Sequence, residues 1–117
     1  MSKKNNNFIR AKESINWIPD KVSVLGAARS GMAVIKYLLK NGITPFLSDI
    51  CDDEKIETTL KSQGLMNIKY EANGHTRKIL DSELIICSPG IPSGIPVLKE
   101  AKKRGIPVWS EVEFAYR

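Results

Sequence analysis

Residues 22–34 read VSVLGAARSGMAV, and this stretch decides the fold. Val22–Leu25 is a short apolar run typical of a buried strand, and the apolar positions from Met32 onward recur at helical spacing. Gly26 can take the backbone angles of a tight turn, and Gly31 lets the helix lie close to the strand. The sequence therefore predicts a strand that passes through a tight turn directly into a helix.

The turn between this strand and this helix is suited to an anion. The N–H groups of residues 29–31 point out of the helix start, where the helix dipole favours negative charge, and the Ser30 hydroxyl adds a donor. A Walker A loop is excluded, because Met32 and Ala33 stand where Lys and Ser or Thr are required. A dinucleotide-binding turn stays open, since Ala28 is a small departure from the glycine it requires. We expect a phosphate or pyrophosphate here.

The rest of the chain alternates between strand and helix patterns. The first helix ends at Asn41-Gly42; the later predicted strands cover 44–48, 67–70, 82–87 and 106–109, and the later predicted helices cover 53–63 and 96–104. Ser110 and Glu113 form a capping box that opens a last helix. This alternation predicts an α/β fold, a Rossmann-like open parallel sheet of about five strands with flanking helices in a single domain.

Two further loops are expected at the same edge of the sheet as the glycine turn. Asp49 ends the second predicted strand about 20 residues after Gly26, where an acidic residue can reach a nucleoside. The loop Ser88-Pro89-Gly90-Ile91-Pro92 follows the fourth strand. These loops indicate a site for a nucleotide, and two hypotheses stay open at this point: an NAD-binding module of an oxidoreductase or sensor, and a domain that only docks to the rest of a larger protein.

Composition and charge narrow the class of protein. The 117 residues are 42% hydrophobic and 26% charged, as in ordinary globular domains, and the net charge is +5. The basic residues are not interleaved with aromatic ones, so we expect no nucleic-acid partner. No apolar run has the length of a signal sequence core or a membrane span, so we expect no membrane partner and a cytoplasmic location. We interpret residues 1–20 as a polar arm and residues 21–117 as the domain. The last helix is short, which we interpret as a sign that the sequence ends near a domain boundary.

Several smaller features are expected to be structural. Cys51 and Cys87 lack the spacing of a metal site or a disulfide framework. We expect Cys87 to be a buried strand residue, Cys51 an inert thiol near the mouth of the pocket, and His75 a residue that stabilises its turn. Trp109 and Phe114 are expected in the core or at a domain interface.

Five segments together resemble one known family. They are GAARSG (26–31), SD (48–49), NGH (73–75), ELIICSPGIP (83–92) and RGIPVWSEVEFA (104–115), and their order and spacing resemble the N-terminal domain of the Mur ligases over roughly residues 21–117. The SPGIP and SEVE segments favour the branch of the family that adds D-glutamate. The resemblance implies a domain that holds the UDP part of UDP-N-acetylmuramoyl-L-alanine in peptidoglycan synthesis.

The resemblance also implies roles for individual residues. The pyrophosphate would lie at the turn, the uracil at the end of the second strand, and the pyrophosphate or sugar at the third loop; the residues carried over are Gly26, Ala28, Arg29, Ser30, Gly31, Asp49, Ile50, Ser88, Pro89 and Gly90. Ile50 and Cys51 depart from the polar or basic residues of relatives, so a backbone contact is expected there rather than a side-chain contact.

The chemistry implied for the family is ATP-dependent formation of an acyl phosphate, attack by D-glutamate, and neutralisation of phosphate charge by Mg²⁺. These 117 residues contain no GxxGK[ST] loop. We therefore expect the chain itself to hold no cofactor and no catalytic residue, and its partners to be the substrate and the remaining ligase domains.

Overall fold

The computed structural model describes residues 18–65 and 67–115. Within these residues, five strands form one sheet: β1 (Val22–Leu25), β2 (Phe46–Ser48), β3 (Lys69–Glu71), β4 (Leu84–Cys87) and β5 (Val108–Ser110). The same residues hold four α-helices, α1 (Arg29–Lys40), α2 (Asp53–Ser62), α3 (Pro96–Lys103) and α4 (Glu111–Ala115), and a 3-10 helix at Arg77–Asp81. The predicted Rossmann-like α/β fold is confirmed.

The strand order fixes where a ligand can enter. The strands lie in the order β3-β2-β1-β4-β5, and every neighbouring pair is parallel. Leu25 pairs with Ser48 on one side and with Cys87 on the other, so the strands end along one edge. The chain winds outward from β1 to β3 and then returns to place β4 on the other side of β1. The loops that follow β1 and β4 therefore diverge, and they leave a crevice at the carboxyl edge.

Helices cover both faces of the sheet, which explains why every residue of β1 and β4 is buried. Alternate strand residues face opposite cores. One core lies under α1, α2 and α4 and includes Val24, Ile35, Leu38, Leu47, Ile56, Ile86 and Phe114. The other lies under α3 and the 3-10 helix and includes Leu25, Ile79, Ile85, Val97, Leu98 and Ala101.

The element boundaries differ from the predicted ones by one or two residues, and the differences have local causes. β2 begins at Phe46 rather than at residue 44, because Pro45 has no N–H for the ladder. β3 begins at Lys69 rather than at residue 67, because Asn67 has the left-handed φ of 65°. β4 and β5 start two residues later than predicted, and α2 and α3 end one residue earlier.

Other sequence predictions concern the ends of the chain and the region before β4. The 3-10 helix was not predicted, since five residues are too few for a clear apolar period. The predicted polar arm falls, up to residue 17, outside the described residues. Among the helices of residues 18–65 and 67–115, none is both long and apolar enough to cross a membrane.

Candidate functional site

A cavity of about 270 Å³ lies at the carboxyl edge of the sheet, at the crevice between β1 and β4. The loops that follow β1, β2, β3 and β4 all contribute to it. Its lining residues are Gly26, Ala27, Ala28, Asp49, Ile50, His75, Ser88, Gly90, Ile91, Pro92 and Ile95. The lining therefore combines backbone and polar side chains with isoleucine and proline side chains.

The glycine turn has the geometry that the sequence predicts. Gly26 has a φ of +110°, and a Cβ atom placed on it would lie 2.7 Å from Cβ of Ser88. A Cβ atom on Gly31 would lie 2.0 Å from the carbonyl oxygen of Gly26, so the helix approaches the strand more closely than any side chain allows. Both glycine roles are confirmed.

The first turn of α1 keeps its backbone donors available. Its N-cap residue, Ala28, has no side chain that can accept a hydrogen bond, and the first turn contains no acidic residue. By contrast, the N-cap Asp52 of α2 accepts a hydrogen bond from the N–H of Lys55 at 2.7 Å. The start of α1 thus offers unsatisfied N–H groups and the positive end of a helix dipole beside the cavity.

Asp49 fixes the turn to the end of β2. Its Oδ2 accepts a hydrogen bond from the N–H of Ala27 at 2.5 Å, and its Oδ1 accepts one from the N–H of Cys51 at 2.8 Å. Burial raises the pKa of Asp49, but these backbone hydrogen bonds outweigh burial and leave the pKa below its usual 3.8. Asp49 is 8% exposed. Its contact with a uracil ring stays a prediction, in which the uracil N–H would share a carboxylate oxygen that already accepts a backbone hydrogen bond.

A second buried carboxylate, Glu71, ends the neighbouring strand β3. Its Oε2 accepts hydrogen bonds from Oγ of Ser48 at 2.7 Å and from the N–H of Thr76 at 2.9 Å, and its Oε1 accepts one from the Thr76 hydroxyl. Ser48 Oγ also lies 2.7 Å from Nδ1 of His75. A chain of hydrogen bonds thus leads from Glu71 through Ser48 to a histidine that lines the cavity.

The structure brings most of the predicted site residues together, but not all of them. Six of them line the cavity: Gly26, Ala28, Asp49, Ile50, Ser88 and Gly90. Gly31 is buried beneath the turn, and Ser30 and Pro89 are exposed beside the cavity rather than in its lining. Arg29 lines a separate groove between α1 and α2.

The lining also contains residues outside the predicted set: Ala27, His75, Ile91, Pro92 and Ile95. His75 was expected only to stabilise its turn. The sequence did contain a signal that His75 could line the site. In a parallel sheet, the loop that follows β3 begins at the same edge as Asp49.

The expected positions of Cys87, Phe114 and Trp109 are confirmed. Cys87 is buried, and burial raises the pKa of its thiol to about 11. A hydrogen bond to Asp49 raises the pKa of the Cys51 thiol, which agrees with an inert group. Phe114 belongs to the core, and Trp109 packs against it. Within the described ranges, no group of three or more His, Cys, Asp or Glu side chains could hold a metal ion.

The fold and the cavity define the chain as a Rossmann-like domain with a glycine turn and an uncapped helix start at the switch point of its sheet. Residues 20–110 match the family described as Mur ligase MurD-like, N-terminal domain. The chain belongs to this family.

Curated relatives agree with this assignment. The chain is 42% identical over 95 residues to the UDP-N-acetylmuramoylalanine--D-glutamate ligase of Elusimicrobium minutum, and the aligned region covers 81% of this chain and 20% of that protein. It is 39% identical over 94 residues to the ligase of the same name from Chlorobaculum tepidum, and the aligned region covers 80% of this chain and 20% of that protein. The chain therefore spans about one fifth of the length of these relatives.

Solved structures show the fold. UDP-N-acetylmuramate-alanine ligase MurC from Thermotoga maritima matches with a TM-score of 0.61 and 20% identity, over 80% of this chain and 21% of that one. Shikimate dehydrogenase from Aquifex aeolicus matches with a TM-score of 0.53 and 19% identity, over 90% of this chain and 48% of that one. The family assignment favours the ligase interpretation over the NAD-binding alternative.

Proposed function

We propose that the chain binds the UDP part of UDP-N-acetylmuramoyl-L-alanine as the substrate-binding domain of a D-glutamate-adding ligase. The observation that carries the proposal is the uncapped start of α1 beside a cavity that is lined by both polar and apolar groups. The N–H groups and dipole of the helix suit a pyrophosphate. The apolar side chains of the lining, those of Ile50, Ile91, Pro92 and Ile95, suit the flat face of a base.

The size of the cavity fits part of such a substrate. Small-molecule sites usually enclose about 300–1,000 Å³, and this cavity is slightly below that range at about 270 Å³. It is too small to enclose a nucleotide together with a muramoyl sugar and a peptide. We infer that the sugar and the alanyl group extend toward other domains of the ligase.

The remaining features of the ligase belong to the same proposal. ATP, Mg²⁺ and D-glutamate would be handled by domains other than residues 21–117, and the protein would act in the cytoplasm. The pyrophosphate would lie at Gly26, Ala28 to Gly31, Ser88, Pro89 and Gly90, and the uracil beside Asp49 and Ile50.

The proposal is tested by calorimetry with UDP and with inorganic pyrophosphate. We expect UDP to bind with a Kd of about 0.1–1 mM, because the contacts of other domains to the sugar and peptide are not made. Ser30→Ala should weaken the binding of both ligands about fivefold to thirtyfold, the effect of losing a hydrogen bond to a charged group. The matched control is Ser62→Ala, since the Ser62 hydroxyl bonds to Thr59 within α2 and lies outside the cavity.

Unchanged affinity in Ser30→Ala would remove the Ser30 hydroxyl from the site. No binding of UDP at millimolar concentration would overturn the proposed function.

A further inference from the structure

The loop that carries His75 is fixed to the loop that follows β2. The N–H of Asn73 donates to the carbonyl of Cys51 at 2.8 Å, and the N–H of Gly74 donates to the carbonyl of Asp49 at 3.2 Å. His75 follows directly and contacts Ser48, the last residue of β2. The imidazole is therefore placed beside Asp49, on the side of β1 away from β4.

The hydrogen bonds behind the ring determine which nitrogen carries the proton. An ionised carboxylate only accepts, so Ser48 must use its single hydrogen to donate to Glu71. The Ser48 oxygen can then only accept from His75, which requires a proton on Nδ1. Burial raises the pKa of Glu71, but the hydrogen bonds from Thr76 and Ser48 lower it below its usual 4.5, which keeps the carboxylate ionised near neutral pH.

The ring nitrogen left for the cavity is Nε2. Burial lowers the pKa of His75 below its usual 6.5, although the charges of Asp49, after β2, and Glu71, at the end of β3, offset part of this effect. The neutral ring with a proton on Nδ1 has a lone pair on Nε2. The cavity is thus offered an acceptor at this position rather than a cation.

The other acceptor beside β2 is already engaged. Both oxygens of Asp49 accept backbone hydrogen bonds, and the residue is 8% exposed. A uracil ring has one N–H donor on its pairing edge, at N3, whereas cytosine has a lone pair at N3. We propose that Nε2 of His75 accepts the hydrogen bond from N3–H of the uracil and so selects UDP over CDP. This inference rests on the proposed function, because it names the base reader of the same site.

The first experiment uses the histidine itself as the probe. His75 is the single histidine of the sequence, so its ring signals in a ¹H–¹⁵N NMR spectrum need no assignment. We expect a proton on Nδ1 in the free chain at pH 8. We also expect saturating UDP to lower the pKa of His75, because a ligand that needs the lone pair binds the neutral ring; each tenfold preference lowers the pKa by about one. A rise in the pKa on adding UDP would show that the ring acts as a cation toward phosphate and would overturn the inference.

The second experiment compares UDP with CDP in the wild-type chain and in His75→Asn. The Asn amide can still donate to Ser48, but it offers no acceptor at the position of Nε2. We expect the wild-type chain to prefer UDP about tenfold, and His75→Asn to lose most of this preference, the effect of one hydrogen bond with an otherwise unpaired partner. Binding of inorganic pyrophosphate should be the same in both chains, which separates base reading from a general loss of structure.

The outcomes are distinguishable from failure of the proposed function. If UDP shifts the amide signals of residues 26–31 but His75→Asn keeps the full preference for UDP over CDP, the chain is a UDP-binding domain and Asp49 or the backbone reads the base. If neither nucleotide binds, the proposed function fails and the inference fails with it.

Discussion

Asp49 and Glu71 lie at the ends of neighbouring strands, and both are buried carboxylates with a lowered pKa. Their partners differ. Asp49 is held by two backbone N–H groups, those of Ala27 and Cys51. Glu71 is held by one backbone N–H group and two hydroxyl groups. A backbone N–H can only donate, whereas a hydroxyl can also accept, so the two carboxylates should respond differently to the same chemical change.

Among the substitutions that would disturb the turn held by Asp49, Gly31→Ala should cause the largest loss of stability. In Gly31→Ala the new Cβ would lie 2.0 Å from the carbonyl oxygen of Gly26, and backbone atoms cannot move aside as a side chain can. We expect a loss of at least about 3 kcal/mol in the free energy of unfolding, the upper end of overpacking costs, despite the higher helix propensity of Ala. Urea denaturation followed by circular dichroism measures it.

The control is Gly90→Ala, because a Cβ atom there meets nothing within 4 Å. Its free energy of unfolding should stay within about 0.5 kcal/mol of the wild-type value. Equal stability of the two variants would mean that the turn is not as tight as described.

Asp49→Asn should have the next largest effect. The amide NH₂ must face either the N–H of Ala27 or the N–H of Cys51, so one partly buried donor loses its acceptor. We expect a loss of about 2 kcal/mol in the free energy of unfolding, the cost of leaving such a group unpaired. Urea denaturation at pH 7 measures it.

Glu71→Gln is the matched substitution, and it should cost less than about 1 kcal/mol. The amide oxygen can accept from Thr76 N–H and Ser48, while the amide NH₂ donates to the Thr76 hydroxyl, which reverses its role. A loss as large as that of Asp49→Asn would contradict the distinction between backbone and hydroxyl partners.

The smallest expected effect is on the pH dependence of stability, to which His75 and the two carboxylates contribute in different pH ranges. A lowered pKa in the folded state means that stability is complete above the unfolded pKa and decreases as the pH falls through the folded pKa. The contribution of His75 should therefore begin to decline below about pH 6.5, that of Glu71 below about pH 4.5 and that of Asp49 below about pH 3.8. Thermal unfolding between pH 8 and pH 3 should show that His75→Asn flattens the first range and Glu71→Gln the second. A wild-type chain that gains stability on acidification would contradict these assignments.

The sequence predicted the parts of the site that depend on local pattern. Gly26 and Gly31 follow a buried strand and open a helix, and each proves necessary because a Cβ atom cannot fit. The capping box was equally readable: Ser110 N–H donates to Glu113 Oε1 at 2.9 Å, and Glu113 N–H donates to Ser110 Oγ at 3.0 Å.

The sequence did not predict the parts that depend on pairing between strands. Glu71 was placed just outside the predicted third strand, so its alignment with Ser48 was hidden. The link from Ser48 to His75 joins residues 27 positions apart and follows only once β2 and β3 are in register. Asp49 illustrates the converse, because its position was predicted but its two backbone hydrogen bonds were not.

The central claim, that this crevice binds UDP, is tested most directly by an NMR titration with UDP, ADP and NAD. A uridine nucleotide and an adenine nucleotide would present the same diphosphate to α1 but different bases to Asp49, Ile50 and His75, so the base is expected to decide which of them binds. We predict that UDP shifts the amide signals of residues 26–31, 49–51 and 88–90 at millimolar concentration, while NAD and ADP shift them little. If NAD shifts the signals of these three loops at a lower concentration than UDP does, the proposal that this crevice binds UDP is wrong.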